Sequence, residues 1–153
     1  MPKFSINSLN KLETCHNDLQ TLFHYVIRYF DCTILCGHRS QSEQFELYKQ
    51  GRILDGELWI TENKNEVVTY KDGFCKKSQH NFEPSRAVDV VPYPIEWKNT
   101  DRMRFFIGYV LGIARMLKDY NAIDEEIVSG IDWNSNTILT DQRFRDFPHF
   151  QIK

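Results

Sequence analysis

No run of apolar residues in this chain approaches the ~18–20 that a membrane-crossing helix needs, so no membrane insertion is expected. An excess of charge of one sign is missing too, with 19 Lys and Arg against 21 Asp and Glu. A formal net charge of −2 gives no general attraction to nucleic acid or to an anionic surface, and no nucleic-acid partner is expected. The N-terminus lacks the charged-then-apolar layout of a signal peptide. If the protein acts outside the cytoplasm, something else must release it. There are four cysteines and no Cys-x-x-Cys pair. Cys32 and Cys36 flank a predicted strand and stand about 13 Å apart along it, beyond disulfide reach. Free thiols in a reducing compartment are the first reading, and a cysteine zinc site is the second. Repeats, low-complexity stretches and interior linkers are all missing, so residues 1–153 are expected to form a single domain.

What is present concentrates in two runs. One is Ser78-Gln79-His80-Asn81-Phe82-Glu83-Pro84-Ser85-Arg86-Ala87-Val88-Asp89-Val90-Val91-Pro92, and the other is Asp146-Phe147-Pro148-His149-Phe150-Gln151. Between them they offer two imidazoles and two carboxylates. Catalytic zinc commonly takes three protein ligands, often two His and a carboxylate, and leaves a fourth position for water. His80, Asp89 and His149 are the candidate ligands, which leaves Asp146 free for proton transfer. Asp89 stands in a valine run that reads as a buried strand, where a lone carboxylate is costly unless it is paired or holds a metal. The alternative for Asp89 is a buried acid paired with an arginine, and for His149 a packed or surface histidine. Nine positions separate His80 from Asp89, which fits no single helical face, so the two must meet through loop geometry. Pro148 favours extended backbone before it. Asp146 and His149 would fall on opposite faces of a plain strand, so they share a site only if the chain bends at Phe147-Pro148.

The remaining pattern is scaffold. Leu9, Leu12, Leu19, Leu22, Phe23, Val26, Ile27 and Phe30 recur at helical spacing and predict one helix from Ser8 to Phe30, capped by Ser5, Asn7 or Ser8. His16 and His24 lie on it too far apart for a metal pair. Thr33 to Cys36 predicts a strand running into Gly37-His38-Arg39-Ser40. Ser40 and Glu43 form a capping box for a helix from Gln41 to Gln50. Val67-Val68-Thr69-Tyr70 predicts one strand of a hairpin turned at Lys71-Asp72-Gly73. A second long helix is predicted from Thr100 to Tyr120, and a strand over Ile127 to Ile131. Trp133 either walls a site or seals the core.

Ser78-Gln79-His80, Ala87-Val88-Asp89-Val90 and Asp146-Phe147-Pro148-His149-Phe150 resemble the M15 family of zinc peptidases. So do Gly37-His38-Arg39-Ser40 with Gln44 and Leu47-Tyr48, and Gly130-Ile131-Asp132-Trp133. The resemblance spans roughly residues 34–151; the motifs are specific as a set and weak singly. The interval from His80 to Asp89 is longer than in many members, through Phe82-Glu83-Pro84-Ser85. The resemblance implies that His80, Asp89 and His149 bind Zn2+ and that Asp146 is the catalytic base. It implies that Arg39 steadies substrate or the developing oxyanion, where the alternative is a plain salt bridge. Ser78, His38 and Trp133 are the candidate substrate-binding residues.

The expected fold is α+β, with two main helices packed on a small, mainly antiparallel sheet and the zinc site at the sheet edge. The expected function is that of a monomeric endolysin hydrolysing the L-alanyl-D-glutamate bond of peptidoglycan stem peptides. On this reading it stays in the host cytoplasm until the membrane is breached and then reaches the wall. The alternatives are a D-alanyl-D-alanine carboxypeptidase, or a non-catalytic wall-binding or virion component with structural zinc.

Overall fold

The computed structural model describes residues 1–153. Its chain runs α1 (Ile6–Leu12), α2 (Asn17–Val26), β1 (Cys32–Cys36), α3 (Gln41–Lys49), β2 (Arg52–Asp55) and β3 (Leu58–Thr61). It continues through β4 (Ala87–Pro92), α4 (Thr100–Asp119), β5 (Ile127–Gly130) and β6 (Asp146–Ile152). Four strands make an antiparallel sheet in the order β1-β4-β6-β5, and β2 and β3 make a separate hairpin. The class is α+β, as the sequence predicts.

The sheet has one apolar face and one polar face because its strands alternate. Val88 and Val90 of β4, Ile34 of β1, and Phe150 and Ile152 of β6 join the core. α2 and α4 cover that face. Phe150 meets Phe23 edge-on at 5.4 Å and Phe106 at 6.2 Å between ring centroids, which ties both helices to the central strand β6. Asp89, His149 and Gln151 occupy the alternate positions and look the other way.

The single helix predicted from Ser8 to Phe30 is divided in two. Ser5 caps α1 by accepting from Ser8 N (3.2 Å). Glu13 to His16 then leave the helix, because Ser85 N donates to Thr14 O (2.9 Å) and His16 N donates to Ser85 O (2.8 Å). The Nδ1 of His16 caps α2 by accepting from Asp18 N, and His24 is exposed. This break fastens the loop before β4 to the helical layer.

The predicted hairpin also lies elsewhere. β2 and β3 turn at Gly56 (φ +62°), whereas Val67–Tyr70 pairs with no strand. That segment hangs on α3 instead, where Gln44 Nε2 donates to Thr69 Oγ1 (3.3 Å) and Lys71 O (2.9 Å). The Ser40–Glu43 capping box forms as expected and fixes the start of α3.

Because Phe150 locks the central strand to both helices with no exposed surface, Phe150→Ala should destabilise the fold by about 3–5 kcal/mol. Urea unfolding followed by circular dichroism measures this.

Candidate active site

Asp89 is the residue of β4 with partners on both sides. The β1–β4 ladder ends at Cys36↔Asp89, and the β4–β6 ladder ends at Asp89↔His149. Directly paired residues project on the same face, so Cys36, Asp89 and His149 form one row across three strands at the margin of the sheet. Two irregularities shape the cluster, one in this row and one beside it. Ile34 pairs Val90, and a bulge then brings Cys36 rather than Leu35 opposite Asp89. On the far side Ser129 pairs Phe150, but Gly130 pairs Asp146, so the chain through Phe147 and Pro148 bulges out. This is the bend needed to bring Asp146 round to the face of His149. One ligand atom from each of Asp89, Asp146 and His149 lies within 4.8 Å of the others.

Gly130 permits that bend. A Cβ there would overlap the Asp146 carbonyl oxygen and come within 2.9 Å of its Cβ. Gly37 plays a similar part at the end of β1, where a Cβ would strike Lys11 O and Thr14 Oγ1. Its carbonyl is thereby held where it accepts from His80 Nδ1 at 2.7 Å.

His80 enters from a 3₁₀ turn, Gln79–Asn81, capped by Ser78, whose hydroxyl accepts from His80 N (3.3 Å). The turn is pinned to the strand-to-helix loop, since Arg39 N donates to His80 O (2.9 Å) and Asn81 Nδ2 donates to Arg39 O (2.8 Å). His80 is 2% exposed and His149 7%.

The outer nitrogens of both histidines are engaged. Gly37 O takes the hydrogen of His80 Nδ1, and Gln151 Oε1 takes that of His149 Nε2 at 2.9 Å. In the neutral rings the inner nitrogens then face Asp89 as lone pairs. His80 Nε2 and His149 Nδ1 each lie 3.2 Å from Asp89 Oδ1 and 3.3 Å from one another. A tetrahedral zinc shell with bonds of about 2.0–2.1 Å has edges of about 3.3–3.4 Å. The three inner atoms thus stand at the spacing of one face of such a shell, all of them acceptors, and the residues fit the metal. Without a metal, a proton takes its place. Burial opposes a charged His80, but hydrogen bonds and negative charge from Asp89 and Cys36 outweigh it and raise its pKa to about 10. Burial likewise opposes ionisation of Asp89, but hydrogen bonds from His149 and His80 hold it well below the usual carboxylate range.

Asp146 behaves in the opposite sense. Burial and the nearby Asp89 charge push its carboxyl above the usual value, which suits a proton acceptor that must later give the proton back. Arg39 Nη2 lies 3.6 Å from Asp89 Oδ2, and its Nη1 donates to the buried Gln44 Oε1 at 2.9 Å. Asp89 is therefore paired with an arginine and also sits in the metal-type cluster.

These groups line a cavity of about 580 Å³. Leu47, Val68 and Tyr70 contribute one apolar side, and Trp133 and Phe144 another, with Lys71, Lys77 and Arg39 supplying positive charge. Trp133 walls the site. Its ring centroid is 5.2 Å from that of His149, and its Nε1 donates to Phe144 O (2.9 Å). Ser78 lines the cavity as well. His38 does not. Its backbone N–H is held by Thr14 Oγ1 (2.7 Å), and its neighbour Arg39 takes the inward position.

The sequence reading did not single out Cys36 or Gln151 for this site. Gln151 carried a usable signal, because it lies two residues after His149 and so shares its face.

No model of a known protein family matches the chain, and no curated protein matches it. Among solved structures, the fold is similar to that in the crystal structure of the Serratia marcescens L-Ala D-Glu endopeptidase ChiX. The TM-score is 0.58 at 19% identity, over 99% of this chain and 90% of that one. The shared property is the fold.

Since Gln151 Oε1 accepts from His149 Nε2, Gln151→Leu should weaken any zinc held by this cluster about 10–100-fold while leaving the fold intact. Competition against a chromophoric chelator reads the affinity, and an unchanged value would remove Gln151 from this role. Gly130→Ala should displace Asp146, visible as shifted His149 and Trp133 side-chain resonances with the core resonances unmoved.

Proposed function

We propose that this protein is a zinc-dependent peptidase that cleaves the L-alanyl-D-glutamate bond of peptidoglycan stem peptides. One observation carries the reading. Three acceptor atoms, two of them on buried imidazoles, stand 3.2–3.3 Å apart with a second, more basic carboxylate beside them, in the wall of a cavity of about 580 Å³. The fold shared with an L-Ala D-Glu endopeptidase supports the choice of bond, as does the resemblance to M15 peptidases.

His80, Asp89 and His149 would hold the metal. The chemistry zinc supplies when bound is acidification of a water and polarisation of a carbonyl. Asp146 accepts the proton of the attacking water and delivers it to the leaving amine of the D-glutamyl residue. Arg39, fixed by Gln44, presents its guanidinium to the oxygen that gains negative charge as the carbonyl carbon becomes tetrahedral. Trp133 and Phe144 cover one flank of the reacting bond, and Ser78 offers a hydroxyl to the peptide backbone. Lys71 and Lys77 place positive charge where the carboxylates of a stem peptide would lie. Delivery follows the endolysin pattern on this reading, with access to the wall once the membrane is breached.

Digestion of purified peptidoglycan, read by mass spectrometry, tests the bond. Products split between L-alanine and D-glutamate are expected; loss of terminal D-alanine would point to a carboxypeptidase, and intact stem peptides to an inert zinc protein. Asp146→Asn keeps the size of the side chain but cannot accept a proton near neutral pH. It should retain about one zinc per chain, with hydrolysis reduced by at least about a hundredfold. His80→Ala should lose metal and activity together.

A further inference from the structure

The bulge in β1 has a chemical consequence at the metal-type cluster. Regular pairing beyond Ile34↔Val90 would set Leu35 against Asp89, and the bulge sets Cys36 there instead. The ligand atoms of Cys36, His80 and Asp89 lie within 4.8 Å of one another. Cys36 approaches Asp89 from the β1 flank, whereas Asp146 approaches from the β6 flank. Its sulfur is half-engaged, 3.5 Å from Gly37 O and 3.5 Å from Arg39 Nη2. The other three thiols are placed differently, with Cys15 and Cys32 buried in the core and Cys75 exposed.

We propose that Cys36 is a fourth, exchangeable protein ligand of this centre, its thiolate joining His80, Asp89 and His149 to close the shell when no substrate is bound. The proposal rests on the zinc reading above. Two independent observations lead to it. The two nine-tenths-buried imidazoles spend their outer hydrogens on Gly37 O and Gln151 Oε1, so in the neutral rings two lone pairs point inward 3.3 Å apart beside the Asp89 carboxylate, a place suited to a cation. The strand irregularity then delivers a sulfur to the same carboxylate. Thiolate, imidazole and carboxylate together form a donor set for zinc and other thiophilic ions, and a poor one for magnesium or calcium. Four protein ligands make a closed centre, and three leave a position open. Arg39, beside the same sulfur, offers the thiolate a second partner once it leaves the metal, so the two arrangements can exchange with little movement of the strand.

Cobalt(II), added to metal-free protein, is the probe. The wild type should take up one cobalt and show a sulfur-to-cobalt charge-transfer band in the near ultraviolet together with visible ligand-field bands. Cys36→Ser should keep the visible bands and lose the near-ultraviolet one. Bound cobalt without that band in the wild type, or a band that survives in Cys36→Ser, overturns the proposal and leaves the metal centre standing. Failure to bind cobalt removes both. A second measurement needs no variant. Iodoacetamide labelling of Cys36 should slow at least about tenfold on adding zinc, because a metal-bound thiolate is a poor nucleophile. Labelling of exposed Cys75 serves as the internal control. Equal labelling of Cys36 with and without zinc would overturn the assignment.

Discussion

Asp89 is a carboxylate in the middle of a valine strand, and much of this molecule is arranged around satisfying it. Ionised and alone at that depth it would cost several kcal/mol. It is met from three directions, by His80 from a capped turn, by His149 from the next strand, and by Arg39 from the loop after β1. Each partner is held in turn. The Gly37 carbonyl fixes one imidazole, Gln151 the other, and Gln44 the guanidinium. A cation fits the centre of this arrangement because the outer hydrogen bonds have already used the hydrogens of both rings. That logic of ligand and support is the usual one for metal-bound histidines.

The sheet carries the set with little help from regular geometry. Straight ladders would leave Cys36 and Asp146 facing the wrong way. A bulge on one side and a proline-containing bend on the other turn both toward Asp89, in keeping with the tendency of such irregularities to re-aim side chains beside functional sites. Glycines stand where the irregular backbone comes too close for any side chain, at Gly37 against α1 and at Gly130 against Asp146. Their presence in the motifs follows from packing distance, with no need for unusual dihedral angles.

Much of this was legible in the sequence, for local reasons. The valine run announces β4, the Ser40–Glu43 box announces α3, and Pro148 between an acid and a histidine announces the bend. What escaped detection depends on distant partners. The apolar stripe from Leu9 to Phe30 has one helical period throughout, and only backbone pairing with Ser85 breaks it. Asp55-Gly56 between two apolar runs is a proper hairpin signal, but β-branched Val67 and Val68 read as the stronger strand. Cys36 looked like a core thiol because its new neighbour is created by a bulge that no spacing rule anticipates. His38 lies beside Arg39 in the sequence but does not line the cavity.

The strand order β1-β4-β6-β5 differs from the chain order in one respect, since β6 comes after β5 and yet lies between β5 and β4. Neither neighbour pairs with the other, so each has an unpaired edge until β6 arrives. Such a sheet closes by insertion rather than by successive hairpins, and contacts of this kind, distant along the chain, form slowly. Before insertion the chain holds two open edges flanked by apolar surface, the form in which partly folded proteins associate. The same insertion delivers His149 to Asp89 and Asp146 to both. Assembly of the cluster is therefore one event with closure of the sheet, and a partly folded chain carries no partly built site.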